Sequence, residues 1–333
     1  MEQEPGETPY ASAAPPGEPG ARLDPSVAPL LAESDPDGTP SWRELPVDEL
    51  RARWRADIRL TSGPGDPSVT SWDLRVPGGT RQVPIRVYSP GGSLVPPPAI
   101  VVYFHGGGFV FGDLDTHDAI CRDMVAAGSF WCVAVDYRLA PEHRFPAALD
   151  DCVEVLLWVQ GHTDKVTGGP ARVAVAGDSA GGNLAAAACL VLRDRAAPLP
   201  VLQVLVYPVL DLTMSSSSAG AFGPEYGLGS QDLAWFYESY LAGLSDPRHA
   251  YVSPGLAADL SGLPAAHVVT VGFDPLRDEG KAYAAALRAA GVGASARHYP
   301  GLIHGVLEYS AILPAGRGLL EDIAGVLASA LSQ

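Results

Sequence analysis

The chain has 333 residues, of which 47% are hydrophobic and 18% charged, a composition that excludes collagen, a coiled coil and a chain disordered throughout. With 22 basic and 38 acidic residues, the formal net charge is −16, which argues against nucleic acid or an anionic membrane as a partner. No apolar run approaches the ~20 residues needed to span a bilayer, and the acidic start lacks the pattern of a signal peptide. We therefore predict a cytoplasmic protein.

The first 40 residues differ in composition from the rest of the chain. They hold nine prolines and eight acidic residues but a single arginine. Such a segment buries too little apolar surface to offset the entropy of ordering it, so we predict a disordered tail over residues 1–20. From about residue 21 to residue 60 the apolar positions take a helical spacing, as at Leu50 and Trp54. This spacing predicts short amphipathic helices that pack on another part of the protein.

Beyond residue 60 the pattern is typical of an α/β fold. Two strand-like runs are joined by Pro77-Gly78-Gly79-Thr80, a turn signal that predicts a hairpin. The predicted strands cover residues 69–76, 82–88, 99–104, 131–136, 172–176, 202–207, 266–271 and 295–299, and the predicted helices cover 119–127, 147–159, 181–194 and 279–290. This alternation predicts a mostly parallel eight-stranded sheet with helices on both faces.

One interval interrupts the alternation. Residues 208–264 contain no run typical of a strand, but they hold a serine-rich stretch, several prolines and the helical pattern WFYESYL. An excursion of this size in an α/β core is most simply a lid or cap.

The strongest chemical signal is Gly177-Asp178-Ser179-Ala180-Gly181, which fits G-x-S-x-G between a predicted strand and a predicted helix. That context is typical of a nucleophile elbow, in which a sharp turn lifts the serine hydroxyl clear of the sheet. The start of the following helix also favours developing negative charge. Ser179 is therefore the predicted nucleophile, and we expect Asp178 to brace the turn.

A glycine-rich segment, His105-Gly106-Gly107-Gly108-Phe109, directly follows the third predicted strand. A simple turn and a phosphate-binding loop are alternatives, but the Lys-Ser/Thr that a Walker loop needs after its glycines is missing. An oxyanion hole fits better, because glycine lets the N–H groups of Gly107 and Gly108 approach a substrate carbonyl, with Ala180 adding a third donor. We expect His105 to support this loop by hydrogen bonding.

A serine nucleophile needs a base and a group that orients the base. Catalytic groups in this fold gather at the carboxyl ends of the strands, and Asp274 and His304 follow the last two predicted strands. The chain order Ser179, Asp274, His304 is that of an α/β-hydrolase triad. His143 also follows a strand, but prolines on both sides indicate a rigid turn there.

No metal or cofactor site is predicted. The four cysteines show neither a CxxC pair nor a Cys/His spacing typical of zinc, so we expect free thiols. The stretch from Asp113 to Asp118 has the residue types of a metal site, but its Asp and Thr side chains are expected to cap the next helix.

Together these motifs resemble the hormone-sensitive lipase family of α/β-hydrolases, also called bacterial esterase family IV. The resemblance runs from about residue 69 to the C-terminus, over six motifs in the order of the family: HGGGFVFGDLDTHD, DYRLAPEHRFPAALDD, GDSAGGNLA, YPVLDL, DPLRDEG and GLIHG. It implies an α/β-hydrolase fold in residues 21–333, with a helical cap formed by about residues 21–60 and 208–250. Val306 departs from the pattern, since an aromatic residue usually follows the His-Gly pair.

The resemblance also implies roles for individual residues. Ser179 would be the nucleophile, with Asp274 and His304 as its partners. The oxyanion donors that the resemblance implies are Gly107, Gly108 and Ala180.

The resulting prediction is a serine carboxylesterase that hydrolyses short- to medium-chain acyl esters through an acyl-enzyme, without metal or cofactor. A biosynthetic deacetylase, an acyltransferase or a lactonase on the same triad is an alternative. A non-catalytic receptor is disfavoured, because such relatives have lost the catalytic histidine. We expect a small-molecule ester as the partner, and the resemblance allows a homodimer. The residues expected to bind the substrate are Phe109, Phe222, Tyr226 and Trp235.

Overall fold

The computed structural model describes residue 18 and residues 21–33, 45–79, 81–91, 99–243 and 246–333. The strands are Thr70–Pro77 (β1), Gln82–Ser89 (β2), Ala99–Phe104 (β3), Trp131–Val135 (β4), Arg172–Asp178 (β5), Leu202–Val206 (β6), Ala265–Phe273 (β7) and Ala294–Ile303 (β8). The helices are Ala28–Glu33 (α1), Val47–Ser62 (α2), Asp118–Gly128 (α3), Ala147–Gly161 (α4), Thr163–Thr167 (α5), Ala180–Asp194 (α6), Ser230–Leu241 (α7), Arg277–Ala289 (α8) and Pro314–Leu331 (α9). The predicted tail lies outside the described residues, apart from residue 18.

The strands form one sheet in the order β1-β2-β4-β3-β5-β6-β7-β8 across the described residues. β1 pairs antiparallel with β2, and β2 pairs antiparallel with β4, whereas all later pairs are parallel. The predicted α/β-hydrolase fold with a mostly parallel eight-stranded sheet is confirmed. After β3 the chain passes to β4, towards one edge of the sheet, and after β5 it passes to β6, towards the other edge. A crevice therefore opens at the carboxyl ends of these strands, where α/β proteins place their sites.

Both faces of the central strands β3, β4, β5 and β6 are buried, as the continuous apolar runs of these strands require. Successive residues of β3 show this directly, since Ile100, Val102 and Phe104 belong to one core cluster while Val101 and Tyr103 belong to the other. Helices α4, α6 and α8 contribute to the first cluster, and helices α3 and α9 contribute to the second. The two layers hold the strand ends, and hence the loops that follow them, in fixed positions.

The C-terminal helix α9 was not among the predicted helices. It packs against α3 and against the middle of the sheet, and it buries Leu319, Leu320 and Ile323 there. In the part of the chain that the structure describes, neither α9 nor any other helix combines the length and the apolar character needed to cross a membrane.

Helices α2 and α7 lie over the loops that follow β3 and β4. Arg51 of α2 donates to the carbonyl oxygens of Val110 and Ala140, at 2.8 and 2.9 Å. From α7, the Tyr240 carbonyl accepts the N–H of Phe145 at 3.0 Å. The assignment of residues 21–60 and 208–250 to a cap stays a prediction.

Candidate active site

Ser179 stands on a sharp turn between β5 and α6. Its backbone has φ 54° and ψ −117°, a conformation that residues with side chains rarely adopt. Glycines make the turn possible, since a Cβ on Gly177 would lie 2.4 Å from the oxygen of Gly181, and one on Gly181 1.9 Å from the oxygen of Phe104. The N–H of Ser179 donates to the Val206 carbonyl at the end of β6. The turn thus fixes Ser179 at the carboxyl edge of the sheet.

The structure brings the two other predicted triad residues to this serine. His304 Nε2 lies 2.8 Å from Ser179 Oγ, and His304 Nδ1 lies 3.0 Å from Asp274 Oδ2. Asp274 is fully buried, and its second oxygen accepts the N–H of Leu276 at 2.8 Å. This carboxylate favours the tautomer with a proton on Nδ1, which leaves Nε2 free to accept the serine proton.

The environment of His304 tunes its basicity. Burial by itself lowers the pKa of the imidazole, but the adjacent Asp274 carboxylate outweighs burial and holds the pKa above its ordinary value. The ring of Tyr207 packs against the imidazole, with the ring centroids 4.7 Å apart. A neutral imidazole can take a proton and then return it, and the raised pKa makes His304 a stronger base.

The glycine-rich segment after β3 lies against the elbow. Gly107 and Gly108 have φ values of 107° and 60°, which favour glycine. Within the hydrogen bonds of the described residues, the N–H groups of Gly107, Gly108 and Ala180 donate to no acceptor. Three backbone donors without acceptors beside a serine hydroxyl are what an oxyanion hole requires.

His105 supports this loop through neighbours other than Ser179. The Tyr137 hydroxyl donates to the His105 carbonyl at 2.7 Å, and the two rings stack with centroids 4.2 Å apart. Burial lowers the pKa of His105 to about 4, so the ring is neutral at pH 7. Both features suit a supporting residue.

Aromatic side chains from α2 and α7 flank the glycine-rich segment of residues 105–109, which we call the oxyanion loop after its predicted role. A Cβ on Gly108 would lie 2.2 Å from the ring of Phe236, so α7 packs directly on the loop. Phe236 contacts Trp235 and Phe111, with centroid distances of 5.2 and 5.5 Å. Trp54 of α2 also contacts Phe111, with the ring centroids 5.9 Å apart. We call Trp54, Phe111, Trp235 and Phe236 the aromatic wall.

The four predicted substrate-binding residues occupy different places. Phe109 is fully buried and stacks on Tyr240 at 3.9 Å. Phe222 is also buried, and its ring centroid lies 5.6 Å from that of Tyr226. The Tyr226 ring in turn contacts Phe273 at the end of β7, with the centroids 5.3 Å apart. Of the four, Trp235 alone belongs to the aromatic wall. A substrate-binding role for each of them stays a prediction.

A second acid–imidazole pair lies beneath the oxyanion loop. Asp178 accepts a hydrogen bond from the Tyr103 hydroxyl at 2.7 Å, and its Oδ1 lies 3.6 Å from His117 Nε2. A Cβ on Gly106 would lie 2.3 Å from Asp178 Oδ2, so the carboxylate directly underlies the loop. This placement agrees with the expected bracing role of Asp178.

Two residues of the site were missed by sequence reasoning. Glu308 brings a carboxylate to the second pair: one ligand atom each from His117, Asp178 and Glu308 lie within 4.8 Å of one another, and these are residue types that can hold a divalent cation. The short spacing from His304 was the available signal. Tyr207 follows β6 directly, and the strand-end rule that identified Asp274 would also have identified it.

Residues 101–308 match the family model described as the alpha/beta hydrolase fold. The chain belongs to the α/β-hydrolase family. The individual proteins that this hydrolase resembles act on carboxylic esters by their names. The carboxylic ester hydrolase LipN of Mycobacterium tuberculosis (strain ATCC 25618 / H37Rv) is 43% identical over 299 residues, covering 87% of this chain and 78% of LipN. The carboxylesterase NlhH of the same organism is 42% identical over 253 residues, covering 72% of this chain and 78% of NlhH.

Solved structures agree with this placement. An alpha/beta hydrolase enzyme from the metagenome of Lake Arreo superimposes with a TM-score of 0.89 at 34% identity, over 93% of this chain and 99% of that one. The hyperthermophilic esterase of Pyrobaculum calidifontis gives a TM-score of 0.83 at 38% identity, over 92% and 98% of the two chains. The hydrolase is therefore a carboxylic ester hydrolase.

Proposed function

We propose that this hydrolase is a serine carboxylesterase that cleaves short- to medium-chain acyl esters through a Ser179-His304-Asp274 triad and an acyl-enzyme. The observation that carries the proposal is the continuous chain of contacts from Ser179 Oγ through the imidazole to the buried Asp274 carboxylate, with distances of 2.8 and 3.0 Å. We further propose that the chain falls within the hormone-sensitive lipase group of the family, on the six motifs named above.

In the first half of the reaction, Ser179 Oγ attacks the ester carbonyl carbon while His304 Nε2 takes the hydroxyl proton. The carbonyl oxygen becomes an oxyanion and accepts hydrogen bonds from the N–H groups of Gly107, Gly108 and Ala180. Imidazolium then gives its proton to the leaving alcohol as the carbon–oxygen bond breaks. Asp274 stabilises the imidazolium throughout without accepting its proton.

In the second half, water attacks the acyl-enzyme and His304 takes its proton. The new oxyanion accepts hydrogen bonds from the same N–H groups. Collapse of the intermediate then returns the proton from His304 to Ser179 Oγ and releases the carboxylic acid. Acyl transfer to another alcohol, as in an acyltransferase, would differ only in the nucleophile of this step. Lactonase and deacetylase reactions use the same two halves, so they remain alternatives within the proposal.

The aromatic wall supports a preference for small acyl groups. Phe236 covers Gly108 so closely that the ring leaves no space for even one added carbon at that position. Phe111 and Trp235 continue the same surface. A rigid aromatic surface beside the oxyanion loop favours a short chain that fits against it.

The test is a series of p-nitrophenyl esters with acyl chains from two to sixteen carbons. We expect the highest kcat/KM between about two and eight carbons, complete loss of activity after treatment with an organophosphate, and labelling at Ser179. Because triad residues act as a unit, Ser179→Ala should lower kcat by roughly 10⁶-fold.

Ser261→Ala, which changes an exposed serine, is the matched control and should keep wild-type kinetics. A Ser179→Ala enzyme with more than a tenth of wild-type turnover would refute the triad. Maximal activity on acyl chains longer than twelve carbons would refute the proposed chain length while leaving the triad intact.

A further inference from the structure

Glu308 lies beside the proposed base and the proposed nucleophile, yet the triad mechanism does not use it. The residue is part of a short 3₁₀ turn, Val306–Tyr309, that directly follows the His304-Gly305 pair. Its carboxylate folds back, since a Cβ on Gly305 would lie 3.7 Å from Glu308 Oε2. It also approaches Asp178, the neighbour of the nucleophile, to within 4.8 Å. The carboxylate therefore lies close to Gly305 and Asp178, the two residues adjacent in sequence to the proposed base and nucleophile.

The contacts of Glu308 differ from those of the other buried acids. Asp178 accepts the Tyr103 hydroxyl, Asp151 pairs with Arg138, and Glu279 accepts the N–H of Leu210 at 2.6 Å. Within the described residues, by contrast, the Glu308 carboxylate accepts no hydrogen bond and forms no ion pair with Arg or Lys, while the backbone N–H of this residue donates to the Gly305 carbonyl at 2.9 Å. A partly buried carboxylate that lacks a protein hydrogen-bond donor is costly, because its contact with water is reduced and no protein group replaces that contact.

The charge balance at this point also leaves room for a donor. The carboxylates of Glu308 and Asp178 both lie near the imidazole of His117, with Asp178 Oδ1 3.6 Å from His117 Nε2. Burial raises the pKa of Glu308 to about 7; the repulsion of Asp178 acts in the same direction, and the attraction of His117 and His304 acts against it. Near neutral pH the carboxyl group is therefore readily converted to the ionised form by any hydrogen-bond donor or cation that reaches it.

We propose that Glu308 is a specificity-determining residue whose carboxylate binds a hydroxyl or ammonium group on the alcohol part of the ester. This inference rests on the proposed function. The alcohol part is assigned because His304 Nε2 must reach the leaving oxygen to protonate it, and Glu308 belongs to the turn that directly follows His304. The preferred substrates are then esters of short diols and amino alcohols, rather than esters of simple alkanols.

The experiment compares propyl acetate with 2-hydroxyethyl acetate, which have nearly the same size and differ by a methyl and a hydroxyl group. A third ester, 2-(dimethylamino)ethyl acetate, carries an ammonium group at pH 7. The variants are Glu308→Gln, which keeps the shape of the side chain, and Glu308→Leu, which removes all polarity. Glu321→Gln, an exposed change on α9, is the matched control.

We expect wild type to favour 2-hydroxyethyl acetate over propyl acetate in kcat/KM by at least tenfold, as hydrogen bonds to charged groups allow. Glu308→Gln should reduce this preference by about tenfold for the hydroxyl ester and more for the ammonium ester, chiefly through KM. Glu308→Leu should abolish the preference, so that kcat/KM for 2-hydroxyethyl acetate falls to or below that for propyl acetate. Glu321→Gln should leave all ratios unchanged.

An unchanged preference in Glu308→Gln, with activity on propyl acetate retained, overturns this inference and leaves the proposed esterase intact. The same holds if wild type shows no preference between the first two esters. If wild type hydrolyses none of the three esters, the proposed function itself fails. Should Glu308→Leu not fold, Glu308→Gln alone decides, because it differs from wild type only in a single terminal group.

Discussion

Two pairs of the same chemical type, each an aspartate and a histidine, lie near Ser179, the proposed nucleophile. In the first, Asp274 lies 3.0 Å from His304, whose imidazole is 10% exposed. In the second, Asp178 lies 3.6 Å from His117, and both side chains are 1% exposed. The carboxylates oppose burial in both pairs and hold the pKa of each histidine above its ordinary value.

The difference lies in what the two nitrogens of each histidine meet. His304 uses Nδ1 for Asp274 and presents Nε2 to the hydroxyl of Ser179. His117 has Nε2 near Asp178 and Nδ1 at 3.0 Å from Thr116 Oγ1, so both of its nitrogens contact structural groups. An acid–imidazole pair thus becomes a base only where its free nitrogen faces a reactive group, and elsewhere the same pair holds a loop in place.

Asp274→Asn has the largest expected effect and tests whether the first pair differs in function from the second. Loss of the carboxylate allows the wrong imidazole tautomer, so kcat should fall by about 10⁴-fold while the fold is kept. Steady-state kinetics on a p-nitrophenyl ester measure the effect, and Asp164→Asn, an exposed change on α5, serves as the control. A fall of less than tenfold would mean that the first pair does no more than the second.

His117→Gln tests the second pair. It removes a buried partner of Asp178, so the free energy of unfolding should fall by about 1–3 kcal/mol, while kcat of the folded enzyme changes far less than in Asp274→Asn. Urea denaturation and kinetics give the two values, with His143→Gln at an exposed position as the control. A kcat loss comparable to that of Asp274→Asn, with unchanged stability, would place His117 in the chemistry instead.

The smallest effects are in pH dependence. Only the neutral imidazole of His304 is a base, and its pKa is raised, so kcat/KM should rise with pH through a midpoint above about 6.5. The pKa of His117 is also raised in the folded chain, so its contribution to stability is present below about pH 6.5 and is lost as pH rises through the folded-state value.

Two series of measurements check these signs. The first is a pH–rate profile of wild type, and the second is the stability difference between wild type and His117→Gln at several pH values. A midpoint of kcat/KM below pH 6 would contradict the first expectation. A stability difference that grows between pH 6 and pH 9 would contradict the second.

Local patterns were sufficient to place the strands and the three triad candidates along the chain. Each parallel strand is a short apolar run, and the G-x-S-x-G turn is dictated by neighbours only two residues away. Asp274 and His304 followed from the rule that catalytic groups come after strands. The helix α9 was missed although its sequence carries the signal, since Leu319, Leu320, Ile323, Leu327 and Leu331 recur at a helical spacing.

The order of the strands and the neighbours of Ser179 were beyond the reach of the sequence. Which loops meet depends on how strands pair across the sheet, and that pairing joins residues far apart in the chain. Glu308 illustrates what the sequence could not predict. Its position four residues after His304 can be read from the sequence, but its approach to Asp178 arises only when β5 and β8 are held in one sheet. The sequence by itself determined which residue types stand at strand ends; the tertiary structure decided which of them meet, because those distances are set by packing between elements rather than by any local preference.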